Sequence, residues 1–345
     1  MILRIGIVQI IYLKTPDHAA TNTSVEVAGG KWKSLINAIM RSALRERDKI
    51  KIYQEESPKT PLWLTERWKA EWGENYINIE NAHRVLSPPI DLCVKEDPLV
   101  WADKLNGYYI SNKTVRLNNT SLISDLEGFE SGDWWVQDYS SQIPATLLNI
   151  KKGDEVLDLC AAPGGKTSQL VAMGAEVTSI DGNKKRIERL KENLSRLNYT
   201  SSIIHSDVRD FKSEKKWSKI ILDAPCSSTG TLRRHPDIMH IKKENDIRSL
   251  EKLQSDLLLS SWKLLSENGS LIYCTCSLEV EEGENQIFKF IKENKDAEIE
   301  RILPGEVSGL KELITEDGLL RIFPDHLSEI GGMDGFFIAR LKKVS

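Results

Sequence analysis

The segment "LDAPCSSTGTLRRHPDI" puts Cys226 three residues after Asp223, and "YCTCSLEVEEGENQ" puts Cys274 and Cys276 two positions apart. The chain has five cysteines and no CxxC pair, which argues against a zinc ribbon or a disulfide scaffold. A cysteine in a strand is usually a small core hydrophobe. These sit at the ends of two β-rich runs in polar company, which favours chemistry. A thiolate is a good nucleophile where its surroundings lower its pKa. Added to C6 of a pyrimidine, it turns C5 into an enamine-like carbon able to attack a methyl group, and elimination then restores the ring. Such a site also needs a group at the N3/N4 edge of the base, for which Asp223 is placed, and a base for the C5 proton.

A methyl donor would need its own site. "DLCAAPGGKTSQL" follows a strand and opens a helix, with Gly164 and Gly165 allowing a tight turn and the first helical amides facing an anion. A P-loop would need glycine five positions before Gly165, where Cys160 stands, so a nucleotide triphosphatase is excluded. Acids end the next strands: Asp181 suits the two hydroxyls of a ribose, and Asp207 an adenine amino group. A carboxylate site without a phosphate cradle, with acceptors for ribose and adenine, suits S-adenosylmethionine. Beside the thiols, Arg233, Arg234 and His235 are candidate RNA contacts, and Arg186 joins them from the basic run "NKKRIERLKENLSRL".

The elements needed to position these residues are legible. "DEVLDLC", "AEVTSID", "SSIIHSD", "SKIILDAPC" and "GSLIYCTC" are short β-branched runs, and amphipathic helices separate several of them. That alternation predicts a doubly wound, mostly parallel α/β sheet of Rossmann-like type over residues 128–345, with ligands at the carboxyl ends of its strands. Residues 53–127 predict a small α+β domain, with strands expected in "SPPIDLCVK" and "GYYISNKTVRLNN". Residues 1–52 predict helices: "LRIGIVQIIYL" is apolar on most faces, as in a buried helix, and Asp17 is a candidate N-cap for the next. From Lys31 to Lys51 there are seven Lys/Arg against two acids, a solvated face or a phosphate-contacting one. The chain opens directly on an apolar helix, the pattern of a domain lacking its first half.

With 345 residues, 40% hydrophobic, the chain is long enough for two or three domains. A net charge of −4 excludes a globally basic nucleic-acid binder but not a local basic face. Isolated cysteines fit a reducing compartment. The apolar start carries Arg4 and is not followed by a small-residue cleavage site, and no apolar run reaches the roughly 20 residues of a membrane span. These features predict a cytoplasmic protein without a membrane segment.

"DLCAAPGGKT", "DAPCSSTGTLRRHPDI", "YCTCSLEVEEGENQI" and "GGMDGFFIARL", with "VQDYSSQIPATLL" before the core, resemble the motif set of the RNA cytosine-C5 methyltransferases of the NOL1/NOP2/Sun family. "LRIGIVQIIYL…PDHAATNTSVEVA…NAIMR" is similar to the second half of a NusB-like RNA-binding domain, which points to the bacterial Fmu/Sun-type 16S rRNA branch. The resemblance implies S-adenosylmethionine bound by Cys160, Ala161, Ala162, Pro163, Gly164, Gly165 and Lys166 with Asp181, Asp207 and Asp223. It implies Cys276 as nucleophile, Cys226 in product release, and Asp223 and Lys166 in catalysis. It also implies a monomer acting on RNA, free or in a partly assembled small subunit, without a metal. Strand alternation alone does not choose between Cys274 and Cys276. Cys276 lies nearer the crevice and matches the family nucleophile, which leaves Cys274 to packing and the acids after it to the start of the next helix. The family's arginine and asparagine after the "PP" turn are replaced by Cys93 and Lys95. The "TCS" triplet and the NusB-like region disfavour a DNA cytosine methyltransferase, and two other readings stay open: a tRNA cytosine-C5 methyltransferase and a non-catalytic RNA-binding assembly factor.

Overall fold

The computed structural model describes residues 1–13, 15–54, 60–84, 88–117 and 122–344, without the side chains of 51–54. The chain forms two compact units, Met1–Lys59 and Thr60–Ser345. Ser87, Asn118 and Asn119, in the segments expected to hold the early strands, lie outside the described residues.

The first unit contains helices α1 (Ile2–Ile11), α2 (Asp17–Ala28), α3 (Lys33–Arg45) and α4 (Arg47–Gln54). Ile10, Ile11, Ala20, Ile36 and Met40 form its core. Gly6 permits the close crossing: a Cβ there would lie 2.4 Å from Ser24 Oγ and 2.6 Å from Met40 Cε. Contrary to expectation, α1 is not buried all round. Ile10 and Ile11 face the core, whereas Ile5 and Val8 are exposed, because the unit covers only one stripe of the helix. Asp17 is the first helical residue rather than the cap, which is Pro16, and its carboxylate pairs with Arg47.

The second unit begins with α5 (Leu62–Trp72) and α6 (Tyr76–His83). A small antiparallel sheet follows, of order β2-β3-β1-β4: β1 (Ile90–Val94), β2 (Tyr108–Tyr109), β3 (Thr114–Leu117) and β4 (Trp134–Val136), with α7 (Pro98–Lys104) on it. The sheet thus takes β4 from beyond residue 127. The helices α5 and α6 pack elsewhere, joining Leu232, Ile238 and Leu278 in a cluster around Leu64, Trp68 and Ile79.

The main sheet has the order β10-β12-β9-β8-β5-β6-β7, with β11 paired to β12. Its parallel part is β5 (Glu155–Leu159), β6 (Glu176–Asp181), β7 (Ser202–His205), β8 (Trp217–Asp223) and β9 (Leu265–Thr275). The antiparallel edge is β10 (Ala297–Ile299), β11 (Leu320–Ile322) and β12 (Phe336–Lys343). The five expected strands are therefore all present, in one sheet and parallel. Strand alternation sends Leu157, Leu159, Ile220 and Leu222 to one face and Val156 and Ile221 to the other. The first face is covered by α12 (Glu244–Leu264) and α13 (Glu284–Glu293), through Leu258, Trp262, Ile287 and Phe290. The second is covered by α8 (Tyr139–Thr146) and α9 (Gly165–Ala172), through Tyr139, Ile143 and Leu170. The helix α10 (Lys184–Arg196) buries Ile187, Leu190 and Leu194 at helical spacing and exposes its lysines. The short helix α11 (Ile238–Ile241) precedes α12.

A fully buried ion pair fixes the small sheet: Arg116 Nε and Nη2 donate to Asp91 at 2.6 and 2.8 Å. Asp91 also accepts from the Tyr139 amide at 3.0 Å, the first residue of α8, and Arg116 donates to the Ile330 carbonyl. Removing one partner of such a pair leaves an uncompensated buried charge. Asp91→Ala is expected to cost about 3–5 kcal/mol, measured by urea unfolding, and the double variant Asp91→Ala/Arg116→Met is expected to recover much of it.

Candidate active site

The carboxyl ends of β5, β8 and β9 open on a cavity of ≈ 600 Å³ lined by Gly164, Lys166, Asp223 and Cys276 among others. Neighbouring parallel strands place Asp223 opposite Cys274 in register, and the two loops that continue them carry Cys226 and Cys276. Their Sγ atoms are 3.4 Å apart, and Cys276 Sγ lies 3.4 Å from Ser228 Oγ. Cys274 is fully buried in β9, with its thiol 3.6 Å from Asp223 Oδ1. It takes the packing role expected of it, and burial holds its pKa well above the thiol range.

The two facing thiols differ. A hydrogen bond from Cys226 lowers the pKa of Cys276, as do Ser228 and the charge of Lys166, against the opposing effects of burial and Asp223. The same Cys276 contact, then burial, raises that of Cys226. The contact thus favours the thiolate at Cys276 over the thiolate at Cys226. Lys166 Nζ donates to Asp223 Oδ2 at 2.8 Å and lies 5.1 Å from the centre of the Phe336 ring. Burial would lower the pKa of Lys166, but Asp223 outweighs it and the lysine stays charged.

The acids after Cys276 are not simply the start of a helix, since α13 begins only at Glu284. Glu282 is fully buried and accepts from the Ser227 amide at 2.9 Å, from the Ser227 and Ser277 hydroxyls at 2.5 Å, and from Gln254 at 2.9 Å. It therefore clasps the residues that directly follow both cysteines. Glu279 accepts from Arg67 at 2.8 Å and Trp68 at 3.0 Å, so α5 backs the same loop. Helix-dipole reasoning missed both roles because, Ser277 apart, the donors lie at least 28 residues away in the chain. The main chain is held as tightly: Gly230 N donates to the Cys276 carbonyl at 3.1 Å, and Gly335 N to the Gly230 carbonyl at 2.8 Å.

In the glycine-rich turn, Gly164 has φ +104° and caps α9. A Cβ there would lie 2.4 Å from Leu190 Cδ1, so only glycine fits. Ala161, Pro163, Gly164, Gly165 and Lys166 line the cavity, whereas Cys160 and Ala162 are not among its lining residues. Asp158, which the sequence reading passed over as a strand residue, also lines it. Its Oδ2 accepts from Thr167, and its buried Oδ1 has no hydrogen-bond partner among the described residues. Burial raises its pKa to about 7. An unpaired buried acceptor at a helix N-terminus fits a ligand that carries a donor beside an anionic group, as an amino acid does.

Asp181 and Asp207 do not line this cavity. Asp181 is buried and accepts from the Ala162 and Asn183 amides at 3.1 and 2.8 Å. Asp207 lies two residues past the end of β7 and pairs with Arg209 at 2.7 Å. Of the expected RNA contacts, His235 is exposed and Arg234 half-buried at the cavity wall. Arg233 is corrected: it is buried, donating to Asp334 at 2.7 Å and to the Gly331 carbonyl at 2.7 Å, and has no free face for RNA. Arg186 donates to the Ala162 carbonyl and supports the turn. Cys93 is buried in β1, and Lys95 donates to the Leu197 carbonyl at the end of α10.

Residues 145–342 match the family model of the 16S rRNA methyltransferases RsmB/F, and residues 1–45 match that of the NusB family. The ribosomal RNA small subunit methyltransferase B of Photorhabdus laumondii is 33% identical, the match covering 99% of this chain and 81% of that protein. That of Escherichia coli is likewise 33% identical, over 99% and 81%. The fold is similar to the crystal structure of PH0851, with a TM-score of 0.82, 22% identity, and 99% and 81% of the two chains covered. It is also similar to NSun6 from Pyrococcus horikoshii with SFG, with a TM-score of 0.69, 22% identity, and 83% and 98% covered.

Two outcomes follow from the geometry. Alkylation of Cys276 by iodoacetamide, followed against pH by peptide mapping, is expected to reach half its limiting rate below the ordinary thiol range. Cys226→Ala removes the donor and should move that midpoint upward. In Gly230→Ala the new Cβ would lie 2.1 Å from the Gly335 carbonyl oxygen. It is expected to lower the melting temperature and to slow Cys276 alkylation, because the clash falls on the chain that holds the Cys276 carbonyl.

Proposed function

The chain belongs to the 16S rRNA methyltransferase RsmB/F family, and on that premise we propose that it methylates C5 of a cytosine in 16S rRNA through a covalent bond between Cys276 and C6 of the base. The observation that carries the mechanism is the 3.4 Å contact of Cys276 with Cys226 at a cavity shared with Lys166 and Asp223.

The glycine turn at the start of α9 would take the carboxylate of S-adenosylmethionine, and Asp158 Oδ1 its ammonium. When bound, this cofactor supplies the methyl group. Cys276 Sγ adds to C6 of the cytosine, and the electron pair released into the ring makes C5 the nucleophile. Asp223 would accept from the N4 amino group, and the Lys166 ammonium that holds it would offset the negative charge that develops at N3. After methylation, loss of the C5 proton to a base breaks the C6–S bond and returns Cys276 as a thiolate, with Cys226 positioned to donate to the leaving sulfur. A cytosine within reach of Cys276 must be unstacked from its neighbours. His235 and Arg234 at the cavity wall, and the cation-rich stretch from Lys31 to Lys51, offer phosphate contacts, so affinity should fall with salt.

Cys276→Ala is expected to abolish transfer of tritiated methyl groups to 16S rRNA while leaving S-adenosylmethionine binding intact by calorimetry. Undiminished turnover would exclude Cys276 as nucleophile. Cys226→Ala is expected to accumulate a slowly migrating protein–RNA band, and the absence of that band would remove Cys226 from the release step.

A further inference from the structure

Two thiols in van der Waals contact share one environment, so something must decide which becomes the thiolate. The charged and titratable groups facing the pair come from several elements. Lys166 on α9 and Asp223 at the end of β8 stand on the Cys276 side, paired at 2.8 Å. Cys274 and Tyr273 are the buried neighbours on β9, and Arg321 on β11 donates to the Ser277 carbonyl at 2.6 Å while pairing with Glu284. Glu282 makes more of its bonds to the Cys226 loop, through the Ser227 amide and hydroxyl and through Gln254, which also holds the Pro225 carbonyl, than to the Cys276 loop, where it meets only the Ser277 hydroxyl. Among the described residues it forms no ion pair, and its partners are an amide, two hydroxyls and a glutamine NH₂.

Resting on the nucleophile reading above, we propose that Glu282 is a positioning residue that assigns the nucleophile's role to Cys276. Its carboxylate binds the main-chain N–H next to Cys226 and the hydroxyl next to Cys276, and its negative charge disfavours a second anion at Cys226. Four groups able to donate converge on its two oxygens, and a protonated acid would leave them fewer acceptor sites. The anion is thus the form this pocket is built for, although burial raises the pKa of Glu282. Lys166 and Asp223, paired at 2.8 Å, largely offset each other beside Cys276, which leaves Glu282, among the described residues, as the unpaired anion near the thiols. Cys226 stays a thiol and donates, and Cys276 accepts as thiolate. The Glu282 charge is among the causes that raise the pKa of Cys226, and Lys166 among those that lower that of Cys276.

The test uses the full chain without RNA or cofactor. Initial rates of iodoacetamide labelling at Cys276 and Cys226 are read by peptide mapping across a pH series, beside a melting curve for each variant. Wild type should label Cys276 faster. Glu282→Gln removes the charge but keeps size and hydrogen bonding, since the serine hydroxyls can turn to accept. The Cys276-to-Cys226 rate ratio should then fall by about tenfold, the effect of about one pKa unit between the thiols. Glu282→Asp keeps the charge and should keep most of the preference. A folded Glu282→Gln with an unchanged ratio overturns the proposal. So does Glu282→Asp losing the preference as fully as Gln, because a purely structural role is disturbed more by shortening the side chain than by neutralising it. If Glu282→Gln does not fold, the Asp variant decides alone: retained preference supports the proposal, and equal labelling in a folded protein overturns it. Faster labelling of Cys226 in wild type would instead defeat the nucleophile reading itself.

Discussion

A single buried carboxylate ties the two reactive loops together. Glu282 holds the residue after Cys226 by amide and hydroxyl and the residue after Cys276 by hydroxyl. Hydrogen bonds to a charged group are worth about 1.5–3 kcal/mol each, and burial makes a missing partner costly. The clasp is extended on every side. Gln254 of α12 donates both to Glu282 and to the Pro225 carbonyl, and Tyr273 donates to the Glu282 carbonyl. α5 closes on the same segment through Glu279. The sulfur–sulfur contact is therefore set by the sheet register, which brings the loops together, and by this carboxylate, which fixes their last few ångströms.

A second buried charge network performs the equivalent task at the cavity wall. Asp138, at the cap of α8, accepts from Arg234 at 2.7 Å and lies 3.3 Å from Arg233, and both arginines bond Asp334 in the "GGMDG" loop. Burial and the Asp138 charge push Asp334 up to about 7, whereas the arginines carry Asp138 well below the carboxylate range despite its burial. The network joins the loop after β8 to the chain ahead of β12 and to the start of α8. The charge of Arg233, which by sequence looked available to a phosphate, is spent inside it. Arg234 keeps a partly open face at the cavity, so adjacent arginines in one motif have different work.

What was legible in the sequence follows from the range of each signal. Strands β5 to β9 were readable because their alternation and flanking helices are local, and the strand-end thiols were readable because parallel neighbours must share a crevice. The glycine turn was readable because Gly164 answers a local backbone demand. Asp158, Glu279 and Glu282 were not, because a carboxylate in a strand or beside a helix looks the same whether it meets water or a buried donor. Their donors include Thr167 of α9, Arg67 and Trp68 of α5 and Gln254 of α12, and no spacing rule links those to the acids. The acids Asp181 and Asp207 show the converse. Their strand-end positions suggested ligands, and the structure adds that Asp181 also accepts from two main-chain amides and that Asp207 also pairs with Arg209.

Charge balance around Cys276 explains why Lys166 and Asp223 must occur together. Asp223 alone would oppose a thiolate at Cys276, and Lys166 alone, buried, would tend to lose its proton. Paired at 2.8 Å, each cancels the other's cost: the acid keeps the lysine charged, and the lysine offsets the acid's repulsion of the thiolate. The Phe336 ring adds a cation–π contact to the ammonium at 5.1 Å from its centre. The pair thus presents the thiolate with a nearly neutral neighbour while retaining a carboxylate at the cavity. Asymmetry between the two thiols must then come from beyond the pair, and the buried anion bound mainly to the Cys226 loop is Glu282. A nucleophile in this fold is defined less by which cysteine is present than by which of two touching sulfurs the surrounding charges leave ionised.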